Sequence, residues 1–198
     1  MGSDEVKRPA IFLDRDGVLT SEAYYERTGE WEAPMYPEDL KILPGALEAA
    51  KKLVDAGYLL FTVSNQAAFA KGKCRLEDIF AVQDRFMEEV RKAGLVFTDM
   101  YYSYTHPKGI IEDFSGPTFD RKPSPYFLKL AAARYEVDLS ASWMIGDRDL
   151  DVECGKRAGT RTIRVFNKNA GENAGKIAPT FEAQNLPEAV EIILSRAT

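Results

Sequence analysis

Four short polar stretches hold most of the reactive groups in this sequence. They are Asp14-Arg15-Asp16-Gly17, Ser64-Asn65-Gln66, Arg121-Lys122-Pro123 and Gly146-Asp147-Arg148-Asp149-Leu150-Asp151. Gathered in one place, they would set several carboxylates, a hydroxyl, a lysine and two or three arginines around one small volume. Clustered aspartates repel one another unless a cation sits among them, and hard divalent cations take oxygen ligands. The lysine and arginines would then face a second anion, most simply a phosphate. A Mg2+ site beside a phosphate site is the simplest chemistry for that composition. The chain offers few alternatives, because His106 is its only histidine and Cys74 and Cys154 its only cysteines. A HExxH zinc site, a Cys2His2 finger, a CxxC pair and a disulfide scaffold are all excluded. Acid–base work therefore runs through carboxylates, lysine and hydroxyls, or through His106.

Whether these groups meet depends on the elements that carry them. Residues 10–13 form an apolar run that ends at Asp14 and predicts a buried first strand. A long loop over 20–44 follows, rich in aromatics and acids, including Tyr24, Tyr25, Trp31 and Tyr36. Ala46, Leu47, Ala50, Leu53 and Val54 recur at helical spacing and Gly57 closes that helix. A second strand over 58–63 runs into Ser64. The stripe Ile79, Val82, Phe86 and Val90 marks a core-facing helix over 76–93. Strands are expected at 99–104, 143–145 and 162–166, with helices at 125–135, 151–158 and 187–196. This alternation argues for an α/β fold: a three-layer, doubly wound, mostly parallel sheet with helices on both faces. In such sheets the ligand site lies outside the carboxyl ends of the strands. Three of the four polar stretches sit at predicted strand ends, and the fourth immediately precedes a helix.

Composition narrows the class further. The chain has 198 residues, 26 Lys+Arg against 31 Asp+Glu, and 45% hydrophobic residues. That is the make-up of one ordinary globular domain over 1–198, with the motifs confined to about 9–166. A net charge of −5 without any basic block argues against nucleic-acid binding. No apolar run approaches the roughly 18 residues that span a bilayer. The expectation is a cytoplasmic monomer with reduced thiols, acting on a small molecule without a membrane or nucleic-acid partner.

Asp14-Arg-Asp16-Gly-Val-Leu-Thr20, Ser64-Asn65, Lys122 and Gly146-Asp147-x-x-x-Asp151 resemble, in order, the four motifs of the haloacid dehalogenase (HAD) superfamily. A closer likeness is to its histidinol-phosphate and heptose-bisphosphate phosphatase branch. It is carried by Ser64-Asn-Gln66 with Ala70-Lys-Gly72, Tyr101-Tyr102 through His106-Pro107-x-Gly109, Arg121-Lys-Pro123 and Gly146-Asp-Arg148. The resemblance implies a capless, Mg2+-dependent phosphomonoesterase working through an aspartyl-phosphate. Asp14 would be its nucleophile and Asp16 its acid and base, with Ser64 and Lys122 holding the phosphoryl group. It further implies Mg2+ held by Asp14, Asp147 and the backbone carbonyl of Asp16, with Asp151 in support. Asn65, Arg121 and Arg148 become candidates to touch substrate, although a surface ion pair is the usual fate of an arginine. The implied substrate is a sugar phosphate such as D-glycero-D-manno-heptose 1,7-bisphosphate, with histidinol phosphate as the alternative.

Two readings from another class compete: a phosphorelay receiver domain and a non-catalytic HAD-like scaffold. Receivers carry adjacent acids after the first strand and the phosphoacceptor after a middle one, unlike this order. A dead scaffold is disfavoured because all four motifs hold competent residues. Relatives in the branch often carry a zinc loop, Cys-x-His…Cys-x-Cys, before Arg-Lys-Pro. Ser103, Thr105, Thr118 and Asp120 occupy those places here, so no zinc is expected. Turns and packing, with Ile110, Ile111 and Phe114 as candidates, must then order the loop over 105–120. Cys74 and Cys154 are expected to be small, partly buried thiols without a part in the chemistry. The aromatics of 24–36 could face substrate or pack over the sheet.

Overall fold

The computed structural model describes residues 7–196. Six parallel strands form one sheet in the order β5-β4-β1-β6-β7-β8. They are β1 (Ala10–Leu13), β4 (Leu59–Asn65), β5 (Asp99–Ser103), β6 (Trp143–Gly146), β7 (Arg161–Val165) and β8 (Phe181–Ala183). The crossovers carry α1 (Ala46–Asp55), α2 (Leu76–Lys92), α3 (Tyr126–Tyr135) and α4 (Asp149–Ala158), and α5 (Leu186–Leu194) follows β8. The three-layer α/β architecture matches the fold expected from the strand–helix alternation.

Central strands read as continuous apolar runs because both of their faces are covered. Along β1, Ile11 and Leu13 enter a core with residues of α1, α2 and α5. Ala10 and Phe12 enter the opposite core, with Leu128 and Ala131 of α3 and Cys154 of α4. Phe12 stacks on Phe61 of β4 at 5.1 Å between ring centroids. Burying such a ring contributes about 2–3 kcal/mol, so β1 is fixed by hydrophobic packing before its polar end does anything. The stripe on α2 is core, as its spacing predicts: Ile79, Val82, Phe86 and Val90 are all buried.

Three features depart from the sequence expectation. The loop over 20–44 contains an antiparallel hairpin, β2 (Ala23–Tyr25) paired with β3 (Glu30–Glu32). Its residues are largely exposed, so no buried face imposes a period-2 apolar pattern. β8 is only three residues long, too short for a pattern. Helix α4 begins at Asp149, two residues before the expected Asp151, because the Asp151 carboxylate accepts from the Arg148 amide at 3.0 Å and caps the first turn. Among the described residues no helix is long and apolar enough to cross a membrane.

Candidate active site

The polar stretches meet at the carboxyl ends of β1, β4 and β6. Asp14 continues β1, and its amide bonds to Ile145 O at 2.9 Å. The chain then turns after Asp14. Arg15 O accepts from the amides of Leu19 and Thr20 at 2.8 and 2.9 Å. Asp14 and Asp16 nevertheless line one cavity of about 440 Å3. Gly17 makes the turn possible with φ of +91°, and a Cβ there would lie 2.5 Å from Asp147 Oδ2. Gly146 is equally constrained, since a Cβ would fall 2.1 Å from that of Asp151. These glycines let three acidic side chains approach one another.

One oxygen each from Asp14, Asp147 and Asp151 lies within 4.8 Å of the others. Lys122, 3% exposed, is the counter-charge. Its ammonium lies 2.9 Å from Asp14 Oδ1 and 2.6 Å from Asp151 Oδ1, and donates to Val63 O at 2.7 Å. Burial alone would lower the Lys122 pKa, but the two carboxylates outweigh it and hold the amine protonated above the ordinary lysine range. Asp147 has only a longer ion pair, with Arg148 Nε at 3.7 Å. Burial, then the charges of Asp151 and Asp14, push its carboxyl up to about 8. Its Oδ1 is buried without a hydrogen-bond partner among the described residues, while its Oδ2 accepts from Asn167 at 2.7 Å. Three crowded carboxylates with one orphaned oxygen form a donor set that fits a hard divalent cation.

Asp16 takes no part in that cluster. Its Oδ1 accepts from Arg15 Nε at 3.1 Å and Thr20 Oγ1 at 2.9 Å. Its Oδ2 accepts from the other end of the guanidinium at 3.1 Å and from Gln66 Nε2 at 2.6 Å. The same Gln66 amide donates to Ser64 Oγ at 3.0 Å and thus ties the two motifs together. Arg15 is 1% exposed, and Tyr102 lies 5.9 Å from its guanidinium carbon. Arg15 and Thr20 hold Asp16 locally, through a turn that the apolar pattern does not mark, whereas Gln66 reaches Arg15 and Asp16 only once β1 and β4 pair.

Ser64, Asn65, Arg121, Lys122, Arg148 and Asp151 line the same cavity, whereas Asp147 is buried beneath it. The three candidate substrate contacts are tethered differently. Asn65 exchanges two hydrogen bonds with the Lys122 backbone, at 3.0 and 3.2 Å, and so positions that lysine. Arg148 is paired with Glu22, a buried acid that Asn167 also contacts, and lies 3.7 Å from Asp147. Arg121 donates only to Thr105 O at 3.3 Å, with no carboxylate within ion-pair distance among the described residues. Glu22 and Asn167 bring a further acid and amide to the site that the motif reading did not include.

At the positions where zinc ligands would stand, Ser103 Oγ contacts Asp120 Oδ1 at 3.1 Å and Thr105 Oγ1 at 3.3 Å. The loop beyond is docked by Ile110 N on Ala70 O at 2.7 Å and by Phe114 edge-on to Phe69 at 4.9 Å. Phe114 therefore supplies the packing, while Ile110 is largely exposed. Cys74 is partly buried and Cys154 buried, both as free thiols.

A HAD-hydrolase-like family profile matches residues 119–189. The D-glycero-D-manno-heptose-1,7-bisphosphate 7-phosphatase of Thermosynechococcus vestitus is 35% identical over 196 residues, spanning 94% of this chain and 95% of its own. The D-glycero-beta-D-manno-heptose-1,7-bisphosphate 7-phosphatase of Rhodopseudomonas palustris is 32% identical over 83% of this chain and 87% of its own. Among solved structures, the D,D-heptose 1,7-bisphosphate phosphatase of B. bronchiseptica, complexed with magnesium and phosphate, superposes with a TM-score of 0.76. It is 25% identical and covers 94% of this chain and 98% of its own.

Proposed function

The chain belongs to the heptose-bisphosphate phosphatase family of HAD-like hydrolases, and from that premise we propose that it removes the C7 phosphate of D-glycero-D-manno-heptose 1,7-bisphosphate. The observation that carries this reading is the buried Asp14–Lys122–Asp151 group with Asp147, set under a cavity that Asp16 and Ser64 also line. An Asp14 oxygen attacks phosphorus, and the bond from phosphorus to the sugar oxygen breaks. Asp16 gives its proton to the departing alkoxide. Water then attacks the aspartyl-phosphate, Asp16 takes the water's proton, and Asp14 is released with inorganic phosphate. For both transfers the Asp16 carboxyl swings out of the clamp formed by Arg15, Thr20 and Gln66 and into the cavity it borders.

Lys122 and Ser64 hold the phosphoryl oxygens while charge moves between attacking and leaving groups. Asn65 keeps Lys122 in place, and Arg121 and Arg148 meet the rest of the substrate. Asp14, Asp147 and the Asp16 carbonyl would hold Mg2+, with Asp151 in support. When bound, the ion supplies the positive charge that lets an anionic carboxylate approach an anionic phosphate. The Ser103–Thr105–Asp120 contacts support a loop that needs no zinc. Residues 1–198 are read as one capless, monomeric domain in the cytoplasm, open to a small phosphorylated metabolite.

The test is Mg2+-dependent phosphate release, screened across both heptose bisphosphate anomers, histidinol phosphate, fructose 1,6-bisphosphate and nucleotides. Asp14→Asn should lower kcat by about 10^3-fold or more. Turnover of histidinol phosphate about tenfold more efficient than that of every sugar phosphate, a difference of roughly 1.4 kcal/mol in transition-state binding, would sink the heptose reading.

A further inference from the structure

Trp31 stands out among the large side chains at the site. The other tryptophan, Trp143, is fully buried, whereas Trp31 is 46% exposed and its residue lines the cavity. Its hairpin is braced at several points. Tyr24 packs across the strands at 5.6 Å between ring centroids. Tyr25 OH donates to Asp39 Oδ2 at 2.6 Å and accepts from the Met35 amide at 2.7 Å. Lys73 ties down both flanking acids, Glu32 at 2.6 Å and Glu30 at 3.1 Å. The half-exposed indole, with Lys168 Nζ 5.9 Å from its ring centroid, gains little for folding on this braced support, but offers a rigid aromatic face to a ligand at low entropic cost.

Charge indicates which part of a ligand that face receives. At the hairpin Glu30 and Glu32 are balanced by Lys73 and by Lys168, whose ammonium lies 5.9 Å from the Trp31 ring centroid, so the face has no surplus positive charge to draw a phosphate away from Lys122. A neutral, hydroxylated carbon chain would meet an aromatic plane for its C–H groups and acceptors for its hydroxyls. Lys73 engages Glu30 through Oε2, which leaves Oε1 open to a donor.

We propose that Trp31, with Glu30 beside it, is the wall that grips the hydroxylated carbon body of the substrate and selects sugar phosphates over smaller phosphomonoesters. This rests on the sugar-phosphatase reading above.

Two measurements decide it. Trp31→Ala should raise KM for heptose bisphosphate about fivefold more than KM for methyl phosphate, with the loss in KM rather than kcat, and Trp31→Phe should recover most of it. With Mg2+ present, tryptophan emission of Asp14→Asn should change on titration with heptose bisphosphate and not with inorganic phosphate. In Asp14→Asn/Trp31→Phe that change should vanish. Equal KM factors for the two substrates, or an emission change that survives in the double variant, would overturn the wall while leaving sugar-phosphate hydrolysis by the unaltered chain intact. No hydrolysis of any sugar phosphate by the unaltered chain overturns the sugar-phosphatase reading and the wall with it.

Discussion

The floor of the cavity and its hairpin wall are built on opposite principles. The floor consists of strand ends whose side chains are almost fully buried and whose contacts run between distant segments, such as Lys122 to Asp14 and Asp151. The wall is a short hairpin of exposed residues held by ion pairs and hydroxyls. The floor is costly to fold, because like charges are confined together. The wall costs the fold little and can be changed without disturbing the sheet. A substitution in the floor disturbs several buried partners at once, whereas one in the wall disturbs few.

Breaking the floor should give the largest effect. Asp147→Asn removes a buried carboxylate without changing its shape, so activity should fall by about 10^3-fold with loss of Mg2+ binding by calorimetry. The same variant should melt higher than the unaltered protein when both are metal-free, because folding no longer has to protonate this carboxyl or confine its charge. A lower metal-free Tm would show that Asp147 supports the fold instead.

The next effect in size is a dependence on pH. The Asp147 carboxyl lies well above its usual range, at about 8, through burial and the charges of Asp151 and Asp14. Metal-free folded protein thus keeps a proton that the unfolded chain has lost. Its stability should fall as pH rises from about 4 towards about 8. The gain in Tm on adding Mg2+ should grow across the same window. A gain independent of pH would contradict the proton-for-cation exchange.

The smallest effect belongs to the wall. Lys73→Met releases Glu30 and Glu32 and should destabilise by about 1 kcal/mol, because one partner is exposed. That corresponds to a Tm lower by about 2–4 °C for a chain of this size. A loss comparable to truncating a core ring would mean that the hairpin belongs to the folding core.

The same contrast explains what could be read from the chain. Strands β1, β4 and β6 are legible because burial on both faces demands uninterrupted apolar residues. Polar residues that close apolar runs point to Asp14, Asp16 and Asp147 at strand ends, and the structure gathers Asp14, Lys122, Asp147 and Asp151 there with Asp16 lining the same cavity. Arg15 is not legible in this way, since its second tether, Gln66 at the end of a neighbouring strand, is brought to it only by the fold. Asn167 is not either: it lies in a polar loop with no pattern, yet it donates to Asp147. The hairpin escaped because exposed aromatics carry no periodic signal. Arg121 and Arg148 look alike in sequence, and they are separated by Glu22, far away in the chain, and Asp147, which pair with Arg148 and not with Arg121.

Lys122 carries one more consequence. Three carboxylates and one ammonium leave the buried group with two surplus negative charges when all are ionised. A guest that balances the group must bring two positive charges. A monovalent ion would leave the interior anionic and a trivalent one would overshoot. By that count the lysine sets the charge a guest would have to bring, a valence condition that comes before size or geometry.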